Sequence, residues 1–206
     1  MNLSEARHHA AEISTVRLVG FLSRTGLTPN TLTLVGFAFS VAAAAVVAED
    51  YLIAGGVLVL VSGVFDMLDG PLARAKGRTT RFGAVLDSTC DRLGEAAVLL
   101  GIMIAYINKD AVLEPVLAYS AFTGSVMVSY LRARAEGLGL ACEVGIFTRA
   151  ERVILLALGL ILAHWMDKAM LVVLCILTAL TLATVAQRLL HVRNETKSGD
   201  QPPPSP

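Results

Sequence analysis

The feature that most constrains this chain is a series of long apolar segments separated by short polar ones. A helix that crosses a bilayer needs about 20 mainly apolar residues. Six segments reach that length, some of them only when their polar ends are included: 30–47, 52–75, 83–107, 115–136, 149–166 and 169–191. The sequence therefore predicts an all-α integral membrane protein with six transmembrane helices.

Composition supports this prediction and excludes other classes. Hydrophobic residues make up 55% of the chain and charged residues 17%, whereas soluble domains average about 45–50% apolar and about 25% charged. The formal net charge is zero, which gives no argument for a nucleic acid partner. Cys90, Cys142 and Cys175 form no CxxC pattern, so neither a disulfide framework nor a thiolate metal site is indicated.

Both ends of the chain differ from the apolar region. Residues 13–25 mix apolar and basic side chains, which predicts an amphipathic helix on the membrane surface within a juxtamembrane segment 1–29. The six-helix domain is expected to cover 30–193. The remaining residues, 194–206, are polar and end in Pro-Pro-Pro-Ser-Pro, a composition typical of a disordered tail.

The distribution of basic residues predicts the orientation in the membrane. Of the 17 Lys and Arg residues, only Lys109 and Lys168 fall in the loops after the first, third and fifth segments, and the other 15 fall on the opposite side. Basic residues mark the cytosolic side of a membrane protein. We therefore expect a multi-pass protein of the cytoplasmic membrane with both termini in the cytosol.

Two pairs of aspartates lie within these apolar segments. Asp66 and Asp69 are three residues apart, and Asp87 and Asp91 are four apart, so each pair shares a helix face. The second segment runs towards the cytosol and the third runs back, which places both pairs at one depth near the cytosolic interface. Each acid at the centre of a membrane helix costs about 2.5–3.5 kcal/mol, so four together require compensation.

Divalent cations are the compensation that these residues favour. Carboxylate oxygens suit Mg²⁺ or Mn²⁺, and two bridged metals can hold phosphate oxygens for a displacement reaction. Simple ion pairs with nearby basic residues are the alternative, but two matched acidic pairs flanked by Gly70 and Gly83 favour a metal site. A divalent-cation transporter is a further alternative, although acids at one interface do not form a path across the midplane. A non-catalytic scaffold is the third.

A long motif joins the two pairs: Asp66-x2-Asp69-Gly70-x2-Ala73-Arg74-x8-Gly83-x3-Asp87-x3-Asp91. It resembles the signature of the CDP-alcohol phosphatidyltransferases, and the resemblance extends over about residues 13–193. These enzymes transfer a phosphatidyl group from a CDP-linked lipid to an alcohol and release CMP. The resemblance implies that the four aspartates hold two Mg²⁺ or Mn²⁺ ions, that Asp91 is also the general base, and that the chain forms a homodimer.

The same resemblance implies a binding site for the CDP-linked lipid, with CDP-diacylglycerol as the expected donor. An ether-linked lipid in place of diacylglycerol is left open. The segment that opens the first helix would line the nucleotide pocket together with residues of the motif. The residues implied are Asn30, Thr31, Leu32, Thr33, Gly70, Arg74 and Thr80.

Two further motifs bear on the acceptor alcohol. Residues 129–136 read Ser-Tyr-Leu-Arg-Ala-Arg-Ala-Glu, and residues 149–152 read Arg-Ala-Glu-Arg. These motifs resemble the branch of the family that uses inositol 1-phosphate and produces phosphatidylinositol phosphate. Converging arginines suit a phosphorylated acceptor, and glycerol 3-phosphate is the alternative acceptor. The residues implied in binding the acceptor phosphate are Ser129, Arg132, Arg149, Arg152 and Arg193.

Overall fold

The structure, a computed structural model, describes residues 19–20, 22–23 and 26–199, and these residues form helices and connecting loops without a strand. Each of the six predicted segments corresponds to one helix. The helices are α1 (Pro29–Ala48), α2 (Leu52–Ala75), α3 (Arg81–Ile107), α4 (Leu113–Gly137), α5 (Arg149–Ala163) and α6 (Ala169–Gly199). The all-α prediction is thus confirmed over the described residues.

Both predicted end segments lie largely outside the described residues. Positions 19–20 and 22–23 are helical, and the rest of the surface helix expected over 13–25 is not described. At the other end, α6 continues to Gly199 instead of ending near residue 191, so residues 194–199 of the predicted disordered tail are helical. The Thr196 hydroxyl donates to the carbonyls of Val192 and Arg193, which satisfies backbone acceptors in this polar last part of the helix. Residues 200–206 of the predicted tail lie beyond the described part.

Within the described part of the chain, three helices are long and apolar enough to cross a membrane by length and composition: α1, α2 and residues 169–197 of α6. The other three depart from that pattern for separate reasons. Helix α3 carries Asp87, Asp91, Arg92 and Glu95 in its first half, and α4 ends in a charged segment. Helix α5 has 15 residues and spans about 22 Å at about 1.5 Å per residue.

Threonine caps start three helices at the same end of the molecule. Thr28 Oγ1 accepts a hydrogen bond from the Thr31 amide at 3.2 Å, and Pro29 occupies the first turn of α1. Thr80 Oγ1 accepts from the Gly83 amide at 2.9 Å at the start of α3. At the start of α5, the Thr148 amide donates to Glu151 at 2.6 Å. The positive ends of three helix dipoles therefore lie at one end of the bundle.

Each helix of the bundle packs against at least two others. Helix α1 packs against α2 and α3, α4 packs against α6, and α5 packs against α2 and, less closely, against α6; α3 also contacts α4. Small residues allow close approach: a Cβ on Gly101 of α3 would collide with the backbone of Ala44. An ion pair of 2.5 Å between Lys109 and Asp50 connects two loops at the end opposite the threonine caps.

Candidate active site

Three carboxylates converge at the capped end of the bundle. Asp66 and Asp69 project from α2 and Asp87 from α3, and one oxygen of each lies within 4.8 Å of the others. Asp69 is the most buried of the three, and Thr33 of α1 donates a hydrogen bond to its Oδ2 at 2.6 Å. The second turn of α1 therefore orients an acid that belongs to the second helix.

Asp91 lies one turn after Asp87 on α3 and is connected to this group through an arginine. Arg149, the first residue of α5, places Nη2 at 2.8 Å from the Asp91 carboxylate and pairs through Nη1 with Asp66. The guanidinium thus bridges one acid of α2 and one acid of α3. Among the described residues, Asp91 is outside the group of three that could share an ion.

The residues present fit a divalent cation. Three carboxylate oxygens from two helices form a set of hard oxygen donors, which Mg²⁺ and Mn²⁺ prefer over thiol-seeking metals. Asp69 is already fixed by Thr33, so one ligand is held before an ion binds. Together with Asp91 these acids make four carboxylates, and Arg149 pairs with two of them. A bound cation would balance the remaining negative charge.

A cleft of about 200 Å³ opens beside Asp69 and Asp87, between the first turns of α1 and α3 and the last turns of α2. Five of the seven residues predicted to bind the CDP-linked lipid line it: Asn30, Thr33, Gly70, Arg74 and Thr80. The structure adds Arg78 and Thr79, which lie in the polar loop after α2, at positions that the motif leaves unspecified between Arg74 and Gly83.

Glycine at position 83 keeps this cleft open. A Cβ there would lie 3.0 Å from the Thr80 hydroxyl oxygen and 3.2 Å from the Asn30 side-chain oxygen. A larger residue would have to displace two polar groups that line the cleft. Gly70 differs, because a Cβ there would meet only the Arg74 guanidinium at an ordinary 3.7 Å. Close packing between helices therefore does not explain why position 70 is glycine. Its place in the lining of the cleft does, because a glycine leaves room there for a ligand.

Two of the residues predicted for the nucleotide pocket do not line the cleft. Leu32 is 2% exposed and packs in an apolar cluster with Leu68 and Leu72. Thr31 is exposed, and its hydroxyl lies 2.8 Å from that of Thr28. In an α-helix, consecutive residues point in different directions, so a continuous stretch of four residues cannot all face one pocket.

A second cavity, of about 490 Å³, is connected to the aspartates through Arg149, which lines it and pairs with Asp66 and Asp91. It is lined by Ser129, Arg132, Arg149 and Arg152, four of the five residues predicted to bind the acceptor phosphate. Arg193 is not among the lining residues. The cavity also takes in Arg92 and Arg188, so we call it the basic cavity. Arg149 faces both the basic cavity and the small space beside Asp66 and Asp91.

Arg152 lines the basic cavity and also forms a buried ion pair with Glu95. It is 4% exposed, and its Nε and Nη2 donate to the two oxygens of Glu95 at 2.9 and 3.2 Å. Ser125 of α4 donates to the same carboxylate at 2.9 Å. One carboxylate on α3 therefore holds an arginine of α5 and a serine of α4. In the sequence, Glu95 is only an acid one turn after Asp91, and that position does not identify its partner.

Arg188 was not among the predicted site residues, because a basic residue near the cytosolic end of a helix is also explained by topology. In the structure it is 9% exposed, its Nε donates to the Val144 carbonyl at 2.9 Å, and its Nη1 donates to the Val128 carbonyl. These bonds connect α6 to α4 and to the loop 138–148. The signal that singles it out is a lone arginine shortly after a run of apolar and small residues.

Comparisons with known proteins agree on one family. A sequence profile described as CDP-alcohol phosphatidyltransferase matches residues 26–191. The archaetidylinositol phosphate synthase of Methanothermobacter thermautotrophicus is 41% identical over 179 residues, which cover 84% of this chain and 87% of that protein. The phosphatidylinositol phosphate synthase of Mycobacteroides abscessus is 38% identical over 192 residues, covering 91% and 87%.

Solved structures show the same architecture. The crystal structure of Mycobacterium tuberculosis phosphatidylinositol phosphate synthase with CDP-DAG bound matches with a TM-score of 0.80 at 35% identity, covering 86% of this chain and 92% of that one. The structure of that protein with manganese and citrate matches with a TM-score of 0.79, covering 86% and 88%.

Proposed function

This chain belongs to the CDP-alcohol phosphatidyltransferase family, and from that membership we propose that it transfers a phosphatidyl-type group from a CDP-linked lipid to inositol 1-phosphate and releases CMP. Family membership makes it a phosphotransferase and sets aside the transporter and scaffold alternatives. The observation that supports this acceptor is the basic cavity, which Arg149 links to the aspartates. It is lined by Arg92, Arg132, Arg149, Arg152 and Arg188.

The names of the relatives support the same acceptor. The relative from Methanothermobacter is an archaetidylinositol phosphate synthase and that from Mycobacteroides is a phosphatidylinositol phosphate synthase. The two names share the inositol phosphate and differ in the lipid. We therefore propose inositol 1-phosphate in preference to glycerol 3-phosphate, and CDP-diacylglycerol as the donor to be tested first.

The donor is proposed to bind with its cytidine diphosphate in the cleft beside Asp69 and Asp87. Arg74 and Arg78 line that cleft and can pair with phosphate oxygens. Large apolar side chains next to it are exposed, with Met67 69% and Phe82 67% accessible. Such a surface suits acyl chains lying in the bilayer, so the lipid would approach from the side with its head group at the cleft.

Asp66, Asp69, Asp87 and Asp91 would hold two Mg²⁺ or Mn²⁺ ions. Manganese is present in a solved structure of the relative from Mycobacterium tuberculosis. When bound, such ions offset the negative charge of the diphosphate and polarise its phosphorus–oxygen bonds.

The reaction itself needs one proton transfer and one displacement. Asp91 would take the proton of the attacking hydroxyl of inositol 1-phosphate at its carboxylate oxygen. The hydroxyl oxygen would form a bond to the lipid-side phosphorus while the bond from that phosphorus to the oxygen of CMP breaks. Arg74 would remain with the leaving phosphate, and the basic cavity would hold the phosphate of the acceptor so that its hydroxyl faces Asp91.

The placement in the membrane completes the proposal. We propose that all six helices cross the cytoplasmic membrane, with both termini and the active site at the cytosolic face, and that two copies form a homodimer. The apolar helices α1, α2 and α6 support membrane insertion. The basic residues of the described chain support the orientation, because Lys109 and Lys168 alone lie in the loops at the end opposite the aspartates.

An acceptor panel tests the proposed function. Purified protein, CDP-diacylglycerol and Mg²⁺ or Mn²⁺ would be mixed with inositol 1-phosphate, inositol, glycerol 3-phosphate or serine, and CMP release measured. We expect the highest kcat/KM for inositol 1-phosphate and none above background for inositol, which lacks the phosphate. Faster turnover of glycerol 3-phosphate would overturn the acceptor, and CMP release independent of the acceptor would overturn the transfer reaction.

A further inference from the structure

Arg149 lies at the boundary between the aspartates and the basic cavity. It begins α5 directly after the Thr148 cap, so its backbone position is fixed by the helix start. Its Nη1 pairs with Asp66 and its Nη2 with Asp91 at 2.8 Å, while its side chain also lines the basic cavity. One guanidinium thus reaches the groups that would hold metal and the space that would hold acceptor.

Asp66 has two competing demands on its carboxylate. It is one of the three acids that could share an ion, and it also binds the Arg149 guanidinium. Two cations on the same carboxylate repel each other, and this repulsion is large where the surroundings exclude water. Asp69 and Asp87 have no such ion pair among the described contacts, so the competition falls on the Asp66 side of the cluster.

The donor groups of Arg149 are not fully used in this arrangement. Its Nε is buried and has no hydrogen-bond partner among the described residues. A guanidinium offers five N–H donors in a planar fork that matches phosphate oxygens. A phosphate in the adjoining cavity could therefore satisfy more of its donors than the two carboxylates do.

We propose that Arg149 couples metal binding to acceptor binding, by competing with the divalent cation for Asp66 and leaving the acid when a phosphate binds in the basic cavity. The inference rests on the proposed function in taking a phosphorylated acceptor. A phosphate that attracts Arg149 strengthens the metal site, and by linkage a bound metal strengthens phosphate binding. A neutral alcohol offers no such exchange, so Arg149 contributes to selectivity for phosphorylated acceptors.

The first test measures Mn²⁺ affinity without turnover. Mn²⁺ would be titrated into purified protein without CDP-lipid and followed by electron paramagnetic resonance of the free ion. For Arg149→Gln we expect Mn²⁺ to bind at least about fivefold more tightly than to the wild type, the lower end of typical coupling between sites. If Arg149 only holds the helices together, its loss would leave Mn²⁺ affinity unchanged or weaken it, and either result overturns the proposal.

The second test adds inorganic phosphate as the probe, with its binding of free Mn²⁺ subtracted. Phosphate is expected to tighten Mn²⁺ binding about fivefold or more in the wild type and to have no effect in Arg149→Gln. If phosphate leaves the Mn²⁺ affinity of the wild type unchanged, the coupling is overturned. If phosphate acts as expected but inositol 1-phosphate is not turned over, the proposed acceptor fails and the coupling stands. Turnover of inositol 1-phosphate without either Mn²⁺ effect would overturn the coupling and leave the proposed acceptor in place.

Two variants serve as controls. Arg132 lines the same cavity but pairs with Glu136 at 2.8 Å and not with the aspartates, so Arg132→Gln should leave Mn²⁺ affinity without phosphate unchanged. Arg149→Lys retains the charge, but an ammonium group lacks the fork that bridges two carboxylates. We expect it to bind Mn²⁺ with an affinity between those of wild type and Arg149→Gln. Should Arg149→Gln fail to fold, wild-type affinity in Arg149→Lys would overturn the proposal.

Discussion

A single hydroxyl controls the most buried acid of the site. Thr33 donates to Asp69 at 2.6 Å, and a hydrogen bond to a charged group contributes about 1.5–3 kcal/mol. Thr33→Val keeps the shape and removes the donor, so Asp69 loses its orientation. We expect kcat/KM for CMP release to fall about tenfold or more, because about 1.4 kcal/mol corresponds to a factor of ten. Mn²⁺ affinity should fall in parallel.

The control for this substitution is a threonine at the opposite end of the bundle. Thr178 donates to the Leu117 carbonyl at 3.2 Å. It lies in the first third of α6, the part of that helix away from the end of the bundle that holds the aspartates. Thr178→Val makes the same chemical change, so it should leave activity close to that of the wild type. If Thr33→Val and Thr178→Val are indistinguishable in CMP release, the hydroxyl does not orient Asp69 for the reaction.

Asp91 is the residue on which the proposed chemistry depends. General base catalysis contributes about 10²–10⁴-fold to a rate, so Asp91→Asn is expected to lower kcat by that range while the protein still binds the CDP-lipid. CMP release and CDP-lipid binding would be measured on the same preparation. Asp110→Asn, at the opposite end of α3 in the loop after it, is the matched control. Undiminished turnover in Asp91→Asn would rule out the base assignment.

At the scale of residues, spacing alone predicted most of the aspartate cluster. Asp66, Asp69 and Asp87 meet because i, i+3 and i, i+4 pairs share faces and the two helices run in opposite directions. The partners of Arg149 and Arg152 were not predictable, because they depend on how α5 is rotated against α2 and α3. That rotation is set by packing between helices, and no short stretch of sequence encodes it.

At the scale of elements, the ion pair between Glu95 and Arg152 joins helices α3 and α5, and Ser125 adds α4 to the contact. The side chains of the pair are 11% and 4% exposed, and removing one partner of a buried pair leaves a charge without compensation, at a cost of about 3–5 kcal/mol. Glu95→Ala should therefore lower the Tm in detergent by several degrees. Thermal unfolding followed by circular dichroism would measure it.

An exposed ion pair in the same bundle provides the comparison. Arg132 and Glu136 pair at 2.8 Å on the surface of α4, with side chains 52% and 53% exposed. Surface pairs contribute about 0–1 kcal/mol, so Glu136→Ala should change Tm little. Equal losses of Tm in Glu95→Ala and Glu136→Ala would show that the buried pair does not stabilise the helix contacts.

Helix boundaries show which local signals were sufficient. In the structure, threonine caps mark the starts of α1, α3 and α5. The starts expected from the apolar segments, at residues 30, 83 and 149, lie within two residues of the observed ones. The end of α5 was expected near residue 166 and is found at Ala163. Apolar Trp165 and Met166 continue the hydropathy pattern beyond the last helical turn, and hydropathy does not distinguish a helix from an apolar loop.

For the whole molecule, chemistry and membrane insertion compete for the same helices. Helices α1, α2 and α6 have the length and composition of a membrane span, whereas α3 and α4 carry charged residues at the end that forms the site. Sequence periodicity predicted that six helices exist, but not that α1 packs against α3 and α4 against α6. That pairing depends on small residues such as Gly101 and Gly124, which allow close approach only to particular neighbours.

The orientation of the whole molecule gives the last prediction. Lys168 and Arg134 are exposed residues at opposite ends of the bundle, so cysteines at these positions report on opposite faces of the membrane. In a Cys175→Ser background, which removes the exposed native cysteine, Lys168→Cys should react with a membrane-impermeant maleimide in intact cells. Arg134→Cys should react only after the cells are opened. The reverse pattern would place the aspartates outside, away from a cytosolic supply of CDP-lipid and phosphorylated acceptor, and would contradict both the orientation and the proposed function.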